Sequence, residues 1–202
     1  MKIVLASNNK GKLAELVPLF SPLGVELIAQ SDLNVPEAPE PYKTFVENAL
    51  TKARNAAQHT GLPAIADDAG LCIEAWGGLP GVDTAYYCTT VGYEKSDDNN
   101  RRAVLERMVG ETNRRANMIS VQVAVLTPFD PQPLISVGRV QGEIALQPIG
   151  DGGFGFDPVM FIPSLGKTMA QLDPAHKNDI SHRGQSARMM RELIRAQWLH
   201  GA

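Results

Sequence analysis

The chain has 202 residues, a net charge of −3, and 44% hydrophobic against 20% charged residues. That balance describes one folded globular domain spanning 1–202, with two lobes at most. It excludes a disordered chain and speaks against a stable nucleic-acid partner. Cys72 and Cys88 are the only cysteines, too few for a disulfide framework and without zinc-site spacing, so a reducing compartment is expected. The opening apolar run is too short for a signal peptide and no later run approaches a membrane span, so the expected location is the cytoplasm, with no membrane partner.

Ile3 to Ala6 is a short apolar run that suits a strand buried on both faces. After Ser7-Asn8-Asn9-Lys10-Gly11-Lys12, the residues Leu13, Leu16, Val17 and Phe20 recur at helical spacing, with Pro18 expected to kink or stop the helix. Val25 to Ala29 reads as a second strand, which makes the opening β-α-β and favours an α/β sheet. Residues 31–43 form a stiff loop with Pro36, Pro39 and Pro41. Thr44-Phe45-Val46-Glu47 is a capping box, followed by a helix with an apolar stripe of Phe45, Ala49, Leu50, Ala53, Ala56 and Ala57 and stopped at Gly61. Lys52 falls off that stripe.

Ala64 to Ala66 is apolar and ends in Asp67-Asp68, read as a strand end, before an alternating run from Leu71 to Trp76. Residues 77–82 are a loop, and Asp97 or Asp98 can cap a helix running to Met108. Met118 to Leu126 is a long strand, Leu134 to Val140 pairs back as a hairpin, and residues 142–149 are a further strand. A glycine-rich loop over 150–158 precedes a short strand at Val159 to Ile162, and Gly184 to Trp198 closes the chain as an amphipathic helix. His59 and His200 read as surface residues. The expected fold is therefore α/β: a two-lobed mixed sheet flanked by helices, with a central substrate cleft.

Four groups of residues can carry chemistry. The hexamer 7–12 lies at a strand-to-helix junction, where free N–H groups and the positive dipole end suit phosphate, although a solvated polar turn has the same composition. It lacks the glycine pattern of a Walker A loop. The acids Glu37, Glu40, Asp67 and Asp68 form the second group. Adjacent carboxylates repel, and a hard divalent cation removes the conflict; a solvated turn is the plainer alternative. If Ala66 points inward, Asp68 shares its side and Asp67 faces away. The third is Gly152-Gly153-Phe154-Gly155-Phe156-Asp157, in which a Phe can stack on a base and Asp157 can accept from base N–H groups, while core packing is the expected use of at least one Phe. The fourth is Lys177 with Ser181-His182-Arg183 before the last helix. Arg183 offers a fork and His182 a donor-acceptor pair, and an ordinary N-cap with a basic first turn is the alternative.

In this order and spacing, Ser-Asn-Asn-Lys-Gly-Lys, Thr-Phe-Val-Glu-Asn-Ala, Ala-Asp-Asp-Ala-Gly-Leu, Gly-Gly-Phe-Gly-Phe-Asp-Pro and Ile-Ser-His-Arg-Gly-Gln resemble the RdgB-type purine nucleoside triphosphate pyrophosphatases, also called inosine triphosphatases or dITP/XTP pyrophosphatases. The resemblance covers residues 2 to about 198 and is weakest from Thr89 to Met118. It implies a homodimeric, Mg²⁺-dependent enzyme of two lobes. Such an enzyme cuts ITP, dITP or XTP to the monophosphate and pyrophosphate, keeping deaminated purines out of DNA and RNA.

By motif position, Ser7, Asn9 and Lys12, within the turn that also holds Asn8, Lys10 and Gly11, would meet the triphosphate. Asp68 would accept the proton of the attacking water and would also sit at the metal with Glu40, for which Glu37 competes. Phe154, Gly155, Phe156 and Asp157 would hold base and sugar, and Lys177, His182 and Arg183 would read the base. Ala69 stands where the family commonly has Ser, so any substrate contact there falls to its backbone, and Phe156 replaces a frequent Tyr. A nucleotide-binding module without turnover and the septum-inhibitor-like nucleotide hydrolases are the rival readings.

Overall fold

The structure is a computed structural model that describes residues 1–199, so the surface position expected for His200 lies outside it. In chain order the elements are β1 (Lys2–Leu5), α1 (Lys10–Phe20), β2 (Glu26–Ala29), α2 (Phe45–Thr60), β3 (Ala64–Ile73), α3 (Asp97–Arg107), β4 (Arg115–Val125), β5 (Leu134–Ile144), β6 (Met160–Ile162), β7 (Lys167–Thr168), α4 (Pro174–Ile180) and α5 (His182–Trp198). The hydrogen-bonded strand order is β2-β1-β3-β4-β5-β6-β7. β1 runs parallel to β2 and to β3, whereas β6 is antiparallel to β5 and to β7, so the sheet is mixed. The expected α/β class, a mixed sheet flanked by helices, is what is found.

The chain divides into two compact units. One holds Met1–Asp68, Ser120–Gly138 and the chain from His182 onward; the other holds Ala69–Ile119 and Arg139–Ser181. In the first, Ile3, Leu5 and Ile65 of the parallel strands pack with Leu16 and Phe20 of α1 and with Ala187, Met190 and Ile194 of α5. In the second, Leu71, Ile73, Val104, Met108, Ile144, Phe156, Met160 and Met169 share a core.

Several elements depart from the sequence reading. α1 does not stop at Pro18 but continues to Phe20, although the proline supplies no N–H to that turn. β3 does not stop at Asp67-Asp68 but continues to Ile73, ten residues in all. Ser96, not Asp97 or Asp98, caps α3, its hydroxyl accepting from the Asn99 amide. β5 continues to Ile144 as one strand, so no separate strand covers 142–149. The turns of 3₁₀ helix over Gly81–Val91, which begin inside the loop expected over 77–82, and the short α4 and β7 carry no long hydrophobic period to announce them. The α2 helix is bounded as expected, the Thr44 hydroxyl accepting from the Glu47 amide and Gly61 ending the helix at φ 68°, but the Glu47 carboxylate accepts from the Thr44 hydroxyl and not from the Thr44 amide that a full capping box would use.

Candidate active site

The phosphate-like turn follows from β1. Its register pairs Leu5 with Ile65 on β3, so two residues further on the parallel chains reach Ser7 and Asp67. Ligand groups gather at such carboxyl ends of parallel strands. Asn9 caps α1, its side-chain oxygen accepting from the Lys12 amide at 3.0 Å, and the Ser7 hydroxyl accepts from the Asn9 amide at 3.2 Å. Asn8, Asn9 and Lys10 are exposed, and Ser7 and Gly11 half-buried, so this helix start is open to an anion. The Asn8 amide donates to Glu37 at 3.0 Å.

The two adjacent carboxylates of β3 are both buried and have different partners, as the period of two along a strand requires. Asp67 meets the ammonium of Lys12 at 2.8 Å and Nε of Arg183 at 3.3 Å, and accepts from the Ser120 hydroxyl on β4. Arg183 also reaches Glu15 at 2.6 Å, which ties α5 back to α1. Burial opposes the charge on Asp67, but Lys12, Arg183 and these hydrogen bonds outweigh it and hold the carboxyl well below its usual range. Burial lowers the Lys12 pKa despite Asp67, helped by the nearby cations Lys52 and Arg183.

Asp68 instead meets Lys52 of α2 at 2.8 Å, and the same ammonium reaches Glu40 at 3.1 Å. Burial pushes the Asp68 carboxyl up; Lys52 counters it in part, and Glu40 adds to the rise. Lys52, though desolvated, is held in its charged form by the two carboxylates. Among the described residues, Oδ2 of Asp68 is buried and meets no hydrogen-bond donor, and no group of three or more His, Cys, Asp or Glu could enclose an ion. Two carboxylates sharing one cation, one with an unsatisfied oxygen, do not make a preformed cage. They fit Mg²⁺, which binds through one or two carboxylates and completes its shell with phosphate oxygens and water. Between the two acids left open by the sequence, Glu40 stands with Asp68, and Glu37 with Asn8.

The glycine-rich loop belongs to the second unit. Gly153 has φ 72°, and a Cβ there would lie 2.1 Å from Asp157 Oδ2, so only glycine lets the loop close on that carboxylate. Asp157 Oδ2 accepts from the Phe154 amide at 2.8 Å and from the Lys177 ammonium at 2.6 Å. That ammonium lies 5.1 Å from the centre of the Phe154 ring. Phe154 and Gly155 are half-buried, while Phe156 is 3% exposed and part of the core.

The predicted residues thus fall into two sets. The first unit holds Ser7 to Lys12, Glu40, Asp68, His182 and Arg183, and the second holds Ala69, Phe154 to Asp157 and Lys177. Arg183, expected as an open fork, is 4% exposed and engaged by two carboxylates. Asp157 binds within its own loop, and Phe156 takes the core role expected of one Phe. Lys52, Glu15 and Ser120 were missed. Lys52 shares a helix face with the buried Asn48 one turn earlier, the one local hint that it turns inward.

A family model described as "Ham1 family" matches residues 3–193. A protein of Paracidovorax citrulli named dITP/XTP pyrophosphatase is 67% identical over 198 residues, 98% of this chain and 100% of its own. One of Delftia acidovorans with the same name is 65% identical, with the same coverage. Among solved structures, a HAM1 protein from Coxiella burnetii superposes with a TM-score of 0.90 at 42% identity, over 97% of this chain and 99% of that one. The Staphylococcus aureus Ham1 protein gives 0.86 at 34% identity, over 98% and 100%.

Proposed function

Because the chain belongs to the Ham1 family, we propose that it hydrolyses the purine nucleoside triphosphates ITP, dITP and XTP to monophosphate and pyrophosphate, removing deaminated purines from the nucleotide pool. The observation that carries this reading is Asp68: a buried carboxylate with one oxygen facing no donor, beside a lysine it shares with Glu40. Its raised proton affinity suits a general base.

Water attacks the α-phosphorus, the bond to the α,β-bridging oxygen breaks, and the water's proton passes to Asp68. Phosphoryl transfer of this kind needs positioning and charge neutralisation more than covalent help. The α1 N-terminus with Ser7, Asn8, Asn9, Lys10 and Gly11 binds the triphosphate, and Lys12 and Lys52 add positive charge. Asp68 and Glu40 would hold a Mg²⁺ ion, which would supply neutralisation of phosphate charge. Asp67 is a support: it fixes Lys12 and, through Arg183, the start of α5. Phe154 and Gly155, backed by Asp157 and Lys177, take the base and sugar, the Ala69 backbone faces the substrate, and His182 reads the 6-oxo edge of the purine. The enzyme works as a homodimer in the cytoplasm.

Asp68→Asn tests the assignment. We expect turnover of ITP to fall at least a hundredfold, the lower end of the range of about 10²–10⁴ for general acid-base groups. Equilibrium binding of ITP should persist. Near-normal turnover in this variant would remove Asp68 as the base.

A further inference from the structure

We propose that Asp97 and Arg101 of α3 are positioning residues that set Phe154 for the purine base, by holding both polar groups of Gly155 from one turn of helix. This rests on the reading of residues 154–157 as the base end. The Gly155 amide donates to Asp97 Oδ2 at 2.9 Å, and the Gly155 carbonyl accepts from Arg101 Nη1 at 2.6 Å. Residues four apart on a helix stand above one another on the same face, so a single turn supplies both an acceptor and a donor. Nη2 of Arg101 pairs with Asp98 in that turn, which orients the guanidinium.

α3 is a firm reference for the loop. Ser96 caps it, Ala103 and Val104 enter the core, and the buried Asn100 accepts from the Cys88 amide and donates to the Ala85 carbonyl. The loop needs such a reference. Gly155 sits at φ 60° with nothing within 4 Å of where a Cβ would stand, and glycine has more backbone freedom to lose than any other residue. On the other side of Phe154, its own amide is held by Asp157. The ring is therefore carried between two fixed peptide groups, one secured within the loop and one by α3. Both clamp residues lie in the stretch from Thr89 to Met118, where the family motifs give no guidance.

Steady-state hydrolysis of ITP by the full chain and its variants tests this. Asp97→Ala and Arg101→Ala should each raise KM about three- to tenfold, the size of one lost hydrogen bond, with kcat changed less than about twofold. The inhibition constant of inorganic pyrophosphate, which has no base, should stay unchanged. Asp97→Asn keeps an acceptor oxygen and should restore most of the lost KM. Phe154→Ala should raise KM by itself, and adding Asp97→Ala to it should raise KM little further. An unchanged KM in Phe154→Ala overturns the base-end reading and this proposal with it. A raised KM there, with unchanged KM in Asp97→Ala and Arg101→Ala, overturns the positioning role alone. So does an Asp97→Ala effect that adds in full to Phe154→Ala, or one matched by weaker pyrophosphate inhibition, because each marks a general structural loss.

Discussion

Asp67 and Asp68 are chemically identical neighbours with opposite consequences for stability. Asp67 is held ionised by two cations, and removing one partner from a buried ion pair costs about 3–5 kcal/mol. Asp67→Asn should lose stability of that order, read from urea unfolding at pH 7. The pH dependence has a definite sign. Because the folded pKa lies below the unfolded one, the Asp67 contribution is complete above about pH 4 and is lost as pH falls below it. Wild type should therefore lose stability steeply in acid, and Asp67→Asn should show a shallower acid limb. Asp68 has the reverse sign: its folded pKa is raised, so its ionisation works against folding as pH rises through that value. Asp68→Asn should cost under about 1 kcal/mol, in the range of ordinary tolerated substitutions, while losing its turnover. A cost for Asp68→Asn equal to that of Asp67→Asn would contradict this division.

Among the elements, α5 is seated against β5 at very short range. A Cβ on Gly138 would come within 1.9 Å of the His182 carbonyl oxygen and 2.7 Å of the Ser186 amide, both backbone atoms that cannot rotate away. The Ser136 hydroxyl donates to the Ser186 carbonyl on the same strand face. Gly138→Ala should destabilise by at least about 1–3 kcal/mol, as is usual for overpacking, and should lower the melting temperature accordingly. A melting temperature equal to wild type would show that α5 shifts freely.

The same elements show what the sequence could reveal. The Thr44 cap of α2, the strand-to-helix turn over residues 7–12 and the glycine-rich loop were legible because caps and turns are local chemistry. The continuation of β3 through Asp67-Asp68 was not, because it depends on Lys12, Ser120 and Arg183, which lie far away in the chain. Arg183 looked like a ligand contact for the same reason: an arginine in a first helical turn is disfavoured by the dipole, and its compensating carboxylates are Glu15 and Asp67. Lys52 was not picked out because a helical stripe is read from apolar positions, and a half-buried lysine leaves no mark on it.

For the whole molecule, the likeness covers nearly all of the chain at every level: the family model over residues 3–193, relatives matched along their whole length and solved structures of the same fold. Family membership supplies the reaction class, and the carboxylate pair with its shared lysine is the place we propose for it. The substrate range and the position of cleavage follow from the proposal and are open to direct measurement. The most direct test is a panel of ITP, dITP, XTP, ATP and GTP assayed for pyrophosphate and orthophosphate, with Mg²⁺ and with the metal chelated. The expected result is pyrophosphate and monophosphate from the first three, little from ATP and GTP, and loss of activity on chelation. Orthophosphate as the first product, or equal rates on ATP and ITP, would contradict the account.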